Sequence, residues 1–173
     1  MGVVTIPKIT IRRVAVEKIL PLRHRILRAG LPPETARFDG DDAETTLHLA
    51  ALMGPDSNQA AEEVIGCLSY MLNSFNDKPA WQLRGMAVDE AHQRHGVGKK
   101  LLTHAEEAVA AEGKVDCLWC NARVPAAAFY QKQGWAIVSD VFEIPTAGPH
   151  VKMTRKLNCP KTRETIEKPR VKR

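Results

Sequence analysis

The sequence predicts a mixed α/β domain in which a largely antiparallel sheet carries helices on both faces. Thr45–Leu52, Val64–Leu72 and Trp81–Val88 are apolar runs of strand length separated by turn-rich segments. From Val97 onward, Val97, Leu101, Ala105 and Val109 recur at every fourth position with Leu102 beside them, leaving Lys100, His104 and Glu107 toward solvent. That is the pattern of a helix with one buried face. Further strand-like and helix-like segments follow in turn as far as Leu157.

Taken in order, Ile9–Val14 alternates well enough for a first strand. Val16–Ala29 reads as one or two short helices broken near Pro21, because an internal proline removes a hydrogen bond and crowds the preceding turn. Gly30-Leu31-Pro32-Pro33 punctuates the chain, and Phe38–Asp42 reads as an acidic loop. Thr45–Leu52 and Val64–Leu72 should pair as a hairpin across Gly54-Pro55-Asp56-Ser57-Asn58, with another turn at Asn73–Pro79. Trp81–Val88 leads through polar Asp89-Glu90-Ala91-His92 to a glycine turn and the amphipathic helix. Val115–Asn121 is a buried strand, and Pro125–Gln133 a helix with proline near its start and Gly134 at its end. Trp135–Val138 is a strand, Asp140–His150 a long loop, and Val151–Leu157 closes the sheet.

A chain of 173 residues with 44% hydrophobic composition supports one sizeable core, so residues 1–158 are expected to form a single domain. No apolar run approaches the ~20 residues of a membrane span, and no apolar signal core follows a basic start. A cytoplasmic protein without membrane contact is the expectation. Cys67, Cys117, Cys120 and Cys159 are too irregular for a disulfide scaffold and read as reduced thiols. Cys117 and Cys120 are spaced as CxxC but fall on a strand, where residues an odd number apart face opposite ways, so no metal site is expected. The net charge is +5, and residues 159–173 hold six basic against two acidic residues, which leaves a nearly neutral body. The charge and two prolines of that segment predict a mobile tail. It has no aromatic residue for stacking on bases, which argues against nucleic acid as a partner.

The segment from Trp81 to Lys100 carries the chemistry. A strand runs through Gln93-Arg94-His95-Gly96-Val97-Gly98 into a helix, and amides at a helix start lack intrahelical acceptors while the helix dipole favours an anion there. Arg94, Lys99 and Lys100 crowd that start, where a free helix favours acidic side chains. A bound polyphosphate resolves the conflict; the alternative is a solvated basic turn.

The stretch Gln93-Arg94-His95-Gly96-Val97-Gly98 resembles the (Q/R)xxGx(G/A) signature of the GNAT superfamily of acetyl-CoA-dependent N-acetyltransferases, with Met86-Ala87-Val88 where that family places its splayed strand. A second block, Asn121-Ala122-Arg123, Ala126–Tyr130 and Gly134-Trp135, resembles the family's asparagine, alanine-rich helix, tyrosine and glycine-aromatic series. Arg23–Arg28, Phe38–Asp42, His48 and Pro149–Met153 look like the ElaA-like branch. The likeness covers roughly Ile9 to Leu157.

The resemblance implies a GNAT-type acyl-CoA N-acyltransferase fold and direct acetyl transfer from acetyl-CoA to a primary amine of a small molecule, peptide or protein. Amides from Arg94 to Lys99 would hold the pyrophosphate, backbone groups of Met86, Ala87 and Val88 would pair with the pantetheine arm, and Asn121 and Phe129 would border it; the alternative for Asn121 is a polar residue that ends a strand. Tyr130 matches the family's general acid; its alternative role is packing, which Phe129 shares. Where a histone-acetylating relative would carry a glutamate, this chain has Gln82, which cannot take a proton at neutral pH. His48 is the candidate base, since imidazoles titrate near neutrality, and Asp41 or Asp42 could attract a cationic amine. The bland alternatives are a structural histidine and a solvated turn. The Asp140–His150 loop should border the acceptor mouth, with Glu143 and His150 lining it. A catalytically silent CoA sensor or interaction module is the competing function, and a homodimer is left open.

Overall fold

The computed structural model describes residues 8–54 and 61–157. Eight strands form one sheet: β1 (Lys8–Arg13), β2 (Leu47–Gly54), β3 (Glu63–Phe75), β4 (Lys78–Val88), β5 (Cys117–Arg123), β6 (Ala136–Ile137), β7 (Phe142–Ile144) and β8 (Gly148–Lys156). Their order is β1-β2-β3-β4-β5-β8-β6, with β7 also on β8. Only β4 and β5 run parallel; every other pairing among the described residues is antiparallel.

The sheet separates two apolar layers because side chains alternate along each strand. On one face α2 (Val97–Glu112) buries Val97, Leu101, Leu102, Ala105 and Val109 against Leu49, Ala51, Ile65 and Leu68. On the other, α1 (Val16–Leu27) buries Val16, Ile19 and Leu22 against Ala50, Leu52, Cys67 and Ala87. A third, short helix, α3 (Ala127–Lys132), places Ala127 and Tyr130 in the α2-side core.

Three local expectations are corrected. Helix α1 is continuous through Pro21. The carbonyl that Pro21 leaves without a donor belongs to Glu17, and both residues lie on the exposed face, where water can satisfy it. The Asn73–Pro79 turn shrinks to Asn76-Asp77, whose φ values of 49° and 60° suit a tight hairpin with the right-handed strand twist. The Asp140–His150 loop is instead mostly a hairpin: Phe142 pairs with His150 and Ile144 with Gly148, while Pro149 is tolerated near the start of β8. The turn centred on residues 55–58 and the expected mobile tail from residue 159 lie outside the described residues.

Cys120 points into the α2-side core while Cys117 is half-buried on the alternate face of β5. Burial pushes the Cys67 and Cys120 thiols up to about 12, which removes the reactive thiolate near neutral pH. Native protein at pH 7.5 should therefore leave Cys67 and Cys120 unmodified by iodoacetamide, and denatured protein should expose both. Peptide mass mapping checks this, and rapid native alkylation of Cys120 would contradict its placement.

Candidate functional site

The central opening arises where the two parallel strands separate. β4 and β5 pair only from Trp81↔Leu118 to Leu83↔Cys120; beyond these residues both strands continue without bonding to each other. The β5-facing backbone edge of β4 from Arg84 to Val88 is thereby left open, a ready partner for an extended ligand. On its other side β4 stays paired with β3, but Ser69 faces Arg84 and Cys67 faces Ala87, so Gly85 and Met86 oppose a single residue. This bulge bends the strand beside the opening. Gly85 has φ +61°, and a Cβ there would lie 2.6 Å from Arg23 Nε, so glycine allows the guanidinium to pass beneath the bulge.

Asp89 fixes the exit from β4. Its carboxylate accepts from Arg25 Nη1 at 2.5 Å and His92 Nδ1 at 2.8 Å, and these bonds hold its carboxyl below the usual range. The chain then turns through Arg94 and Gly96, with φ 64° and 79°, into α2. Among the described residues no side chain caps this helix, and no acidic residue occupies its first turn. Its first amides therefore remain available to an anion, with Arg94, His95, Lys99 and Lys100 exposed around them. Gln93 is committed differently: its side-chain amide donates to the Val88 carbonyl at 2.9 Å and braces the loop. The Val97 side chain is buried in the core, leaving its backbone to face a ligand. At Gly98 an added Cβ would sit 3.4 Å from Met86 Cε and 3.5 Å from the Phe129 ring. Phe129 thus packs against the first turn of α2.

Between the separated strands lies a cavity of about 290 Å³, walled by Gln82–Met86 of β4, Cys120–Arg123 of β5, Leu27 of α1 and the following Arg28, Phe38, Tyr130 and His150. Among the described residues the Tyr130 hydroxyl meets only Met86 Sδ, at 3.5 Å. Burial pushes this phenol up, so it keeps its proton. Asn121 lines the same cavity, and its buried Oδ1 has no hydrogen-bond donor among the described residues. Gln82 Oε1 accepts from Asn73 at 2.8 Å, and none of the described residues on the cavity wall supplies a carboxylate. His150 reaches the cavity because β8 pairs with β5, which sets it opposite Arg123. Its Nδ1 lies 2.7 Å from the Gly148 carbonyl and must be the donor, since a carbonyl only accepts; Nε2 makes no hydrogen bond among the described residues. Glu143 alternates outward on β7 and does not line the cavity.

His48 is corrected as the base candidate. Its Nε2 donates to the Asp41 carbonyl at 2.8 Å, and Nδ1 pairs with Ser69 Oγ at 2.6 Å, so neither nitrogen is available. Ser69 Oγ also accepts from Arg23 Nη2 at 2.7 Å, and Arg23 Nη1 donates to Asp41 Oδ2 at 2.6 Å. Asp41 is consequently the buried partner of Arg23 and no attractor of a substrate amine, while Asp42 pairs with Arg37 at the surface. The signal for this network was the placement of Arg23 seven residues after Val16 and four after Ile19, on the apolar stripe of α1.

The sequence profile of the Acetyltransferase (GNAT) family matches residues 22–135. The uncharacterized N-acetyltransferase YitI of Bacillus subtilis (strain 168) is 32% identical over 150 residues, covering 85% of this chain and 95% of YitI. Among solved structures, Escherichia coli ElaA superposes with a TM-score of 0.68 at 18% identity, covering 87% of this chain and 100% of ElaA. An aminoglycoside 6'-N-acetyltransferase complexed with coenzyme A gives a TM-score of 0.65 at 14% identity, covering 85% of this chain and 96% of that one.

Proposed function

Because the chain belongs to the GNAT acetyltransferase family, we propose that it transfers an acetyl group directly from acetyl-CoA to a primary amine, with residues 1–158 as the catalytic unit. One observation carries this reading: the open edge of β4 leads from an uncapped, acid-free helix start to a protonated tyrosine at the strand separation.

Acetyl-CoA supplies an activated acyl group and a thiolate that needs a proton as it leaves. The backbone amides from Arg94 to Lys99 and the nearby basic side chains suit its phosphates. The unpaired edge at Met86, Ala87 and Val88 suits its extended amide-bearing arm, except that the Val88 carbonyl is already engaged by Gln93. Met86 and Phe129 lie beside Gly98, where these two regions meet. Tyr130 holds a proton beside Met86, where it can protonate the departing thiolate. His150 Nε2 offers the lone pair that takes the proton from the attacking amine, in place of His48. Asn121 Oδ1 is a vacant acceptor for an amine or amide N–H at the same opening.

A catalytically silent CoA-binding module shares the phosphate cradle, so binding and turnover must be measured separately. Gly98→Asp is expected to weaken acetyl-CoA binding roughly tenfold, since it adds a negative charge to the first turn of α2 beside the proposed phosphate cradle; its Cβ would meet Met86 and Phe129 at ordinary contact distance, and the melting temperature of the variant checks its fold. Calorimetry on the folded variant checks the placement; an unchanged affinity would remove it. CoA release across an amine library separates the enzyme from the silent module, because sustained turnover belongs to the enzyme alone.

A further inference from the structure

Three guanidinium groups line the cavity without a carboxylate partner. Arg28 at the end of α1, Arg84 on β4 and Arg123 on β5 take part in no ion pair among the described residues. Their polar protein contacts are mainly backbone carbonyls: Arg28 Nε to Thr35 at 3.3 Å, Arg84 Nη1 to Asp39 at 3.0 Å and Arg123 Nη2 to Leu27 at 3.0 Å. Arg28 and Arg84 also lie over the Phe38 ring, at 5.2 and 4.9 Å from its centroid. Two carboxylates act on Arg84 from outside the cavity wall: Asp41, already engaged by buried Arg23, and Asp39, which is exposed to solvent.

Like charges gathered in a partly desolvated wall repel unless an anion joins them. Burial, followed by the positive neighbours Arg123, Arg84 and Arg23, draws the Arg28 group below its usual range; burial does the same to Arg84. The cofactor phosphates do not answer this need, because their proposed cradle belongs to α2. Arg123 alternates away from the α2-side core residues Cys120 and Ala122, and Arg28 extends from α1, so these two charges approach from the opposite face of the sheet. The unpartnered Asn121 Oδ1 belongs to the same cavity.

We propose that Arg28, Arg84 and Arg123 form a carboxylate-binding wall, so that the acceptor is an amine that itself carries a carboxylate, as a free amino acid does. The substrate class rests on the acetyl-transfer reading above. The guanidiniums hold the carboxylate by charge-assisted hydrogen bonds, and Asn121 Oδ1 receives an N–H from the amino end. Polycationic amines are disfavoured, since they would meet three positive charges and no compensating acid among the described residues of the cavity wall.

The test compares a panel of L-amino acids with their carboxamides, using CoA release by the full chain at saturating acetyl-CoA. The acids should exceed their amides in kcat/KM by roughly tenfold to a hundredfold, the range of one charge-assisted hydrogen bond. Arg123→Gln and Arg84→Gln should raise KM for the acids much more than for the amides, with acetyl-CoA affinity retained. In parallel, calorimetry measures N-acetyl amino acids and their N-acetyl amides binding to the CoA-saturated chain. Equal turnover of acids and amides would overturn the carboxylate wall and leave acetyl transfer standing. Absence of turnover with any amine, joined to selective binding of the N-acetyl acids, would support the wall and overturn the enzymatic reading. Absence of acid preference in both experiments would overturn the wall.

Discussion

Arg23→Met is expected to destabilise the domain by about 3–5 kcal/mol, the scale for stranding one member of a buried ion pair. Arg23 and Asp41 are both essentially inaccessible, and the same guanidinium also donates to Ser69 and to the Ala36 carbonyl. Removing it leaves a buried carboxylate supported chiefly by the Phe38 amide, which reaches Asp41 Oδ2 at 2.8 Å. At ~2–4 °C per kcal/mol for a chain of this size, the melting temperature should fall by roughly 6–20 °C. Urea and thermal unfolding of Arg23→Met, Asp41→Asn and the double variant check it, and the double variant should recover part of the loss because no unpaired charge remains. A loss below about 1 kcal/mol in Arg23→Met would show that the pair is not the keystone its burial implies.

The same network explains how a polar cluster behind the cavity wall shapes the site. Arg23 ties α1 to Asp41, while the Asp41 backbone and side chain secure His48 and Phe38. Phe38 then underlies Arg23, Arg84 and Arg28 at 4.5, 4.9 and 5.2 Å. His48 belongs to the wall's foundation, and its two satisfied nitrogens remove it from proton transfer with a substrate.

The strand, glycine turn and helix of the phosphate cradle are legible in the sequence because each depends on neighbours along the chain: Trp81–Val88 is an apolar run of strand length, Gly96 permits a left-handed entry, and Val97, Leu101, Ala105 and Val109 share one helix face. The separation of β4 from β5 is not legible from composition or periodicity, since it depends on where a parallel register stops. Long-range polar pairing is equally hidden. Arg23 meets Ser69 across 46 positions, and Glu106 receives Trp135 Nε1 at 3.0 Å from 29 positions away. Charged residues on otherwise apolar helix stripes are the available clue in both cases. The resemblance names His150 as a lining residue, but a loop over 140–150 conceals the strand β8 whose register with β5 sets it opposite Arg123.

Tyr130→Phe is expected to lower the rate of acetyl transfer by ~10²–10⁴-fold, the usual contribution of a positioned general acid or base, while acetyl-CoA affinity changes less than about twofold. The hydroxyl meets a sulfur, a weak acceptor, so its removal strands no strong hydrogen-bond partner. The ring keeps its edge contact with Phe129 at 5.2 Å and its tilted contact with Trp135 at 5.5 Å, which should preserve the fold. A loss of that size corresponds to about 3–5 kcal/mol of barrier, too large to assign to a small shift in packing. Single-turnover rates with saturating acceptor, alongside calorimetric acetyl-CoA affinities and melting temperatures, separate chemistry from binding and stability. An unchanged chemical rate in the folded variant would make Tyr130 a packing residue and pass protonation of the thiolate to water or another group; a loss confined to the chemical step, with binding and melting preserved, would place the phenolic proton in the transition state.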